Sequence, residues 1–68
     1  MTTALSLTRE ARSLRAAIGR SNKTFVAAHR QIALRRIGTA LLMADKNLAV
    51  AQVALLEARY HAQFVLRA

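Results

Sequence analysis

Residues 41–65 read LLMADKNLAVAQVALLEARYHAQFV, and the spacing within them decides the fold class. Leu41, Ala44, Leu48, Ala51, Leu55, Ala58, Ala62 and Val65 follow one another in steps of three and four. This is an apolar heptad seam in which alanines let helix backbones approach and larger residues fill the space beside them. A second apolar line, Leu42, Ala49, Val53, Leu56, Tyr60 and Phe64, runs along roughly the opposite side of the same helix. One short neighbour cannot cover both faces. The pattern therefore predicts a helix set between its own chain and a second chain, in a protein that completes its core by association.

Working back toward the start, Leu7, Ala11, Leu14, Ile18, Ser21, Phe25, Ala28 and Ile32 form a comparable seam. Ser6 or Thr8 can cap its first turn, with Glu10 near the positive end of the helix dipole. The polar run Gly19-Arg20-Ser21-Asn22-Lys23-Thr24 reads either as a loop or as a bend. Because Ile18 and Phe25 stay in phase across it, one continuous, bent helix is favoured. The clearest stop is Arg35-Arg36-Ile37-Gly38-Thr39: cations suit a helix C-terminus, Gly38 suits the residue after it, and Thr39 can cap the next helix. An alternative turn at Ala44-Asp45-Lys46-Asn47 would leave unequal arms and interrupt the second seam, although Asp45 is a plausible cap.

The expectation is one all-α domain over residues 1–68. Helix one covers about 7–37, the turn lies near 38, and helix two covers about 39–67, each helix on the order of 40–45 Å long. This antiparallel helical hairpin would dimerise into a four-helix bundle. Leu14, Ile18, Phe25, Ile32, Leu41, Leu48, Leu55 and Val65 would form the core and dimer seam.

Composition narrows the alternatives. A chain of 68 residues has one small and thermodynamically marginal core. It has no Cys, so disulfides and thiolate metal sites are excluded, and oligomerisation is the remaining reinforcement. Apolar residues make up 54% of the chain and Pro is absent, which argues against disorder and for helix. Asp45, Lys46 and Asn47 interrupt the longest apolar region, so no membrane insertion is expected. The first residues lack the form of a secretory signal. The Arg-rich first half resembles a mitochondrial presequence in composition, but the remainder is too short for a mature domain. A cytoplasmic location is expected.

The net charge of +8 is lopsided. Residues 1–38 hold eight cations against Glu10, whereas residues 39–68 hold three against Asp45 and Glu57. Arg9, Arg12, Arg15, Arg20, Lys23 and Arg30 fall away from the first seam. They read as a solvated basic face or as a surface for an acidic partner, either protein or nucleic acid. Tyr60 and Phe64, one turn apart on the second apolar line, read as dimer core or as further partner-binding residues. Chemistry is sparse. No two of the three acids have general acid–base spacing on one helix face, and no phosphate-binding glycine loop is present. A hairpin turned at Gly38 sets His29 near Asn47 and His61 near Arg15, so the two imidazoles would not meet. No catalytic residue, metal site or cofactor is expected, and the chain reads as a non-enzyme.

Arg outnumbers Lys nine to two, and the chain opens Met1-Thr2-Thr3-Ala4-Leu5-Ser6-Leu7-Thr8-Arg9-Glu10-Ala11-Arg12. In length, composition and helical character the whole chain resembles the small early proteins of temperate phages of pseudomonads, and among them the quorum-sensing anti-activators. The resemblance lies in no single motif and transfers no functional residue. It implies a helical-hairpin homodimer that inhibits a host LuxR-type transcriptional regulator, and also a type IV pilus assembly ATPase, by stoichiometric binding. The alternative is a helical bundle that binds structured RNA or the DNA backbone through the basic face of helix one.

Overall fold

In the computed structural model, which describes residues 2–21 and 27–67, the chain is all-helical, with three helices among the described residues: α1 (Ala4–Gly19), α2 (Ala27–Met43) and α3 (Leu48–Leu66). This corrects the expected two-helix hairpin. The longest dimension is 34 Å, whereas a 30-residue helix alone would span about 45 Å. Folding back α1 allows one chain to cover faces that a bare hairpin would leave open.

α1 begins earlier than the capping pattern predicts. Thr3 is the cap: its Oγ1 accepts from the Ser6 N–H at 3.1 Å, and the Ser6 Oγ accepts from the Thr3 N–H at 2.9 Å. This reciprocal box satisfies two otherwise unpaired donors. Glu10 accordingly lies beyond the first turn. α1 ends at Gly19, where the Arg20 and Ser21 N–H groups bond back to carbonyls of the last turn, including Ile18 O at 3.0 Å from Ser21 N. The expected continuous helix through Gly19–Thr24 is thus broken at its start; Lys23 and Phe25 lie outside the described residues. The seam holds through Leu7, Ala11 and Ile18, with Leu14 half-buried, and then loses its phase: Ala28 and Ile32 are exposed, and α2 instead buries Ala33, Ile37 and Ala40.

Gly38 lies inside α2 rather than at a turn, and no described glycine has a positive φ. Burial of Ile37 and Ala40 on either side holds the helix through it, overriding a propensity cost of about 1 kcal/mol. Thr39 does not cap a helix; its hydroxyl donates to the Arg35 carbonyl at 3.2 Å. The turn comes at residues 44–47. Met43 O accepts from Lys46 N and Asn47 N at 3.0 and 2.8 Å, and Asn47 rather than Asp45 caps α3, its Oδ1 accepting from Val50 N at 3.2 Å. Buried Ala44 opens this turn and half-buried Leu48 follows it, so the apolar seam passes through it unbroken.

The core joins all three helices. α3 contributes Ala51, Ala54, Leu55, Ala58, Ala62 and Val65, packed chiefly against α2, with α1 contacting both. Among the described residues alanine supplies eight of the thirteen that are apolar and buried, so the helices approach closely around Leu7, Ile18, Ile37, Leu55 and Val65. Leu41 and Leu48 flank this core half-buried. Among the described residues no helix is long and apolar enough to cross a membrane.

Candidate docking face

At 100° per residue, the side of α3 opposite Ala51, Leu55, Ala58 and Ala62 carries Ala49, Val53, Leu56, Tyr60 and Phe64. The four large side chains remain uncovered: Val53 is 55% exposed, Leu56 60%, Tyr60 58% and Phe64 39%. Leu42 at the end of α2 and Val50 at the start of α3 are exposed as well. Single exposed apolar residues are ordinary, but a contiguous row on one helix face marks an interaction surface. The second apolar line of the sequence is therefore this outer face, and among the described residues nothing packs on most of it.

Ion pairs border the face on both sides. Toward α2, Arg36 Nε lies 3.0 Å from Glu57 Oε2. Toward α1, Arg59 pairs with Glu10. Both are about half-exposed and contribute little stability, roughly 0–1 kcal/mol each. Their effect on charge is larger: they occupy Glu10 and Glu57, so among the described residues only Asp45, at the turn, is an acid without an ion pair. A groove lies along each border, one lined by Thr39, Val50, Val53 and Ala54 beside the Arg36–Glu57 pair, the other by Leu7, Gln52, Leu55 and Leu56 beside the Glu10–Arg59 pair.

The aromatic end of the face is ordered from below. Tyr60 and Phe64 meet edge to face, with centroids 5.4 Å apart. Phe64 stacks on His29 of α2 at 4.4 Å, and Tyr60 sets an edge against His61 at 5.2 Å. His29 Nδ1 and His61 Nδ1 are 3.0 Å apart, and both rings are half-buried. This corrects the expectation that the histidines do not meet. In an antiparallel pair, facing residue numbers sum to about twice the turn position, so moving the turn from Gly38 to residues 44–47 brings 29 opposite 61 and 36 opposite 57.

The expected basic face is only partly intact. Arg9, Arg12, Arg15 and Arg20 are exposed on α1 or at its end. Arg30 is half-buried, and its Nη1 donates to the Ser21 carbonyl at 2.7 Å, tying α2 to the end of α1. Lys23 lies outside the described residues. Of the expected partner-binding set, the structure brings Tyr60 and Phe64 together on α3 and leaves the four exposed arginines on a different helix. Val53 and Leu56, which sequence reasoning assigns to the second apolar line but not to partner binding, form the middle of the face. Sequence reasoning reads Arg36 as part of a helix stop and Glu57 only as a charge, and assigns none of Arg36, Glu57 and Arg59 to this surface. Among the described residues no group of three or more His, Cys, Asp or Glu side chains is placed to hold a metal ion.

Compared with models of protein families, with curated proteins and with solved structures, the chain matches none.

Proposed function

We propose that this chain is a non-enzymatic helical regulator that binds another protein through the outer face of α3, its net positive charge drawing it to an acidic surface. One observation carries the reading: Val53, Leu56, Tyr60 and Phe64 form a continuous exposed apolar row on a helix whose other side is already core. Burying such side chains contributes about 1.5–3 kcal/mol each. Aromatic residues at the centre of a contact commonly dominate its energy. The charge argues for the kind of partner. A net +8, with Glu10 and Glu57 already paired, favours an acidic surface and accelerates encounter with it.

A second copy is the competing occupant. The spacing of Val53, Leu56, Tyr60 and Phe64 suits pairing of two α3 helices, and the homodimer expected from the sequence would use this face. With three helices among the described residues of each chain, such a dimer would bring together six described helices rather than four. The like charge of two copies opposes it. Nucleic acid is a further reading, favoured by the exposure of Arg9, Arg12, Arg15 and Arg20 together.

The resemblance to phage anti-activators makes a LuxR-type regulator of a pseudomonad the first partner to test, with the pilus assembly ATPase second. The experiment is a calorimetric titration of the purified regulator with this protein and with a Leu56→Ser/Tyr60→Ser variant. The proposal expects saturable binding that the variant weakens by at least tenfold while remaining helical. Equal binding by the variant would remove the outer face from the mechanism, and no binding to either protein would remove these partners.

A further inference from the structure

His29 on α2 and His61 on α3 turn the same ring atom toward each other. Their Nδ1 atoms are 3.0 Å apart and their ring centroids 5.2 Å apart. Both rings are half-buried at the aromatic end of the docking face, with Phe64 stacked on His29 and Tyr60 edge-on to His61. Two arrangements bring imidazole nitrogens this close. One is a single N–H···N hydrogen bond, with one ring as donor and the other as acceptor. The other is two lone pairs set to share one metal ion.

The spacing suits a chelate. At Zn–N distances of about 2.0–2.1 Å, two imidazoles of a tetrahedral site hold their nitrogens about 3.4 Å apart and their centroids about 5.2 Å apart. The centroids of His29 and His61 already stand at that separation. Only the nitrogens must open slightly, and a modest turn of each ring about its own centre supplies this, because the terminal torsion of histidine is broad. Neither helix has to move.

The donor set selects the ion. Both donors are imidazoles, on a chain without Cys. Among the described residues no carboxylate bonds either ring, since Glu10 pairs with Arg59 and Glu57 with Arg36. Calcium and magnesium require oxygen ligands. The net charge of +8 works further against any cation held by charge alone. Imidazole nitrogen suits zinc, copper and nickel, and of these zinc takes the tetrahedral geometry. Arg30, the cation that follows His29, is held on the Ser21 carbonyl at the end of α1.

We infer that His29 and His61 form a two-imidazole zinc site, with water in the remaining positions, that clamps α2 to α3 beside Tyr60 and Phe64. Two protein ligands make an open site, so the ion exchanges freely and the chain folds without it. The site goes beyond the docking reading and needs no partner on the outer face of α3. An ion bound there fixes the two rings against which Phe64 and Tyr60 rest.

The test uses the whole chain alone at pH 7.5, where free imidazoles are mostly neutral. Failure of the zinc site and failure of the docking reading are therefore told apart. Zinc chloride is titrated by calorimetry into protein freed of metal by a chelator, with magnesium chloride as the control, and isotope-labelled histidine rings are followed by NMR. One zinc ion should bind per chain, moving the Nδ1 signals of both His29 and His61, while magnesium gives no response. The melting temperature should rise by roughly 5–10 °C when free zinc is about tenfold above its dissociation constant. His29→Gln and His61→Gln should each keep the helical spectrum without zinc and bind the ion at least tenfold more weakly. Should either variant fail to fold, the Nδ1 signals of the parent decide. No binding up to millimolar zinc would overturn the site, and so would movement of only one histidine, binding through Nε2, or equal binding by a folded variant.

Discussion

Arg36 Nε lies 3.0 Å from Glu57 Oε2, across the border between α2 and α3 and at the margin of the exposed apolar row. Both side chains are nearly half-exposed, so water and salt screen the pair. Glu57→Gln should therefore lower stability by no more than about 1 kcal/mol. A loss of several kcal/mol by urea denaturation would mean that the pair is far less solvated than its position indicates.

Gly38 distinguishes the three-helix chain from the hairpin expected from the sequence. It sits inside α2, and a Cβ built there meets no atom within 4 Å. Gly38→Ala should then stabilise the protein by about 0.5–1 kcal/mol, because it removes backbone freedom from the unfolded chain without strain in the fold. A turn at this position with a left-handed glycine would give the opposite sign. A urea midpoint that rises in the variant supports α2 as described; one that falls contradicts it.

The start of α3 depends on Asn47. Its Oδ1 accepts from Val50 N at 3.2 Å, and Asn47→Ala removes that bond at the turn between α2 and α3. The expected cost is about 1 kcal/mol, read from thermal or urea melts. Asp45→Ala, at the residue the sequence suggests as a cap, should cost measurably less. Equal costs would place the cap elsewhere.

The basic surface is tested through salt. If Arg9, Arg12, Arg15 and Arg20 serve only to steer the protein to an acidic protein partner, binding to generic duplex DNA in fluorescence anisotropy should be lost near 0.15 M salt. Binding that persists there, with log affinity falling by about 0.9 per phosphate neutralised in a plot against log salt, would favour the nucleic-acid reading.

The inner face of α3 is legible in the sequence because its periodicity is unambiguous: Ala51, Leu55, Ala58, Ala62 and Val65 fall on one line, and all are buried. The outer line is equally legible, since Val53, Leu56, Tyr60 and Phe64 repeat the same spacing half a turn away. The turn is not. Gly38-Thr39 carries the stronger local signal, but burial of Ile37 and Ala40 outweighs it, and Ala44 and Leu48 keep the apolar seam continuous through the real turn. That single displacement hides the His29–His61 contact and the Arg36–Glu57 pair, because both depend on which residues α2 and α3 bring opposite one another. The end of α1 at Gly19 is obscured because Ile18 and Phe25 are in phase in the sequence. Exposure of the α1 arginines agrees with their spacing, whereas capture of Arg30 by the Ser21 carbonyl is a tertiary contact with no local signature.

One side of α3 is core and the other is exposed, and two adjacent residues separate the two sides. Leu55 is 4% exposed and Leu56 is 60% exposed. Circular dichroism and thermal melting of Leu55→Asp and Leu56→Asp, at low protein concentration, compare the two sides with one substitution. Leu55→Asp buries an unpaired carboxylate and should abolish the cooperative melt. Leu56→Asp should keep the helical spectrum and melt within a few degrees of the parent. Loss of folding in both variants would mean that the outer face is also core, in a fold completed by a second chain, and retention of folding in both would contradict the described packing of α3.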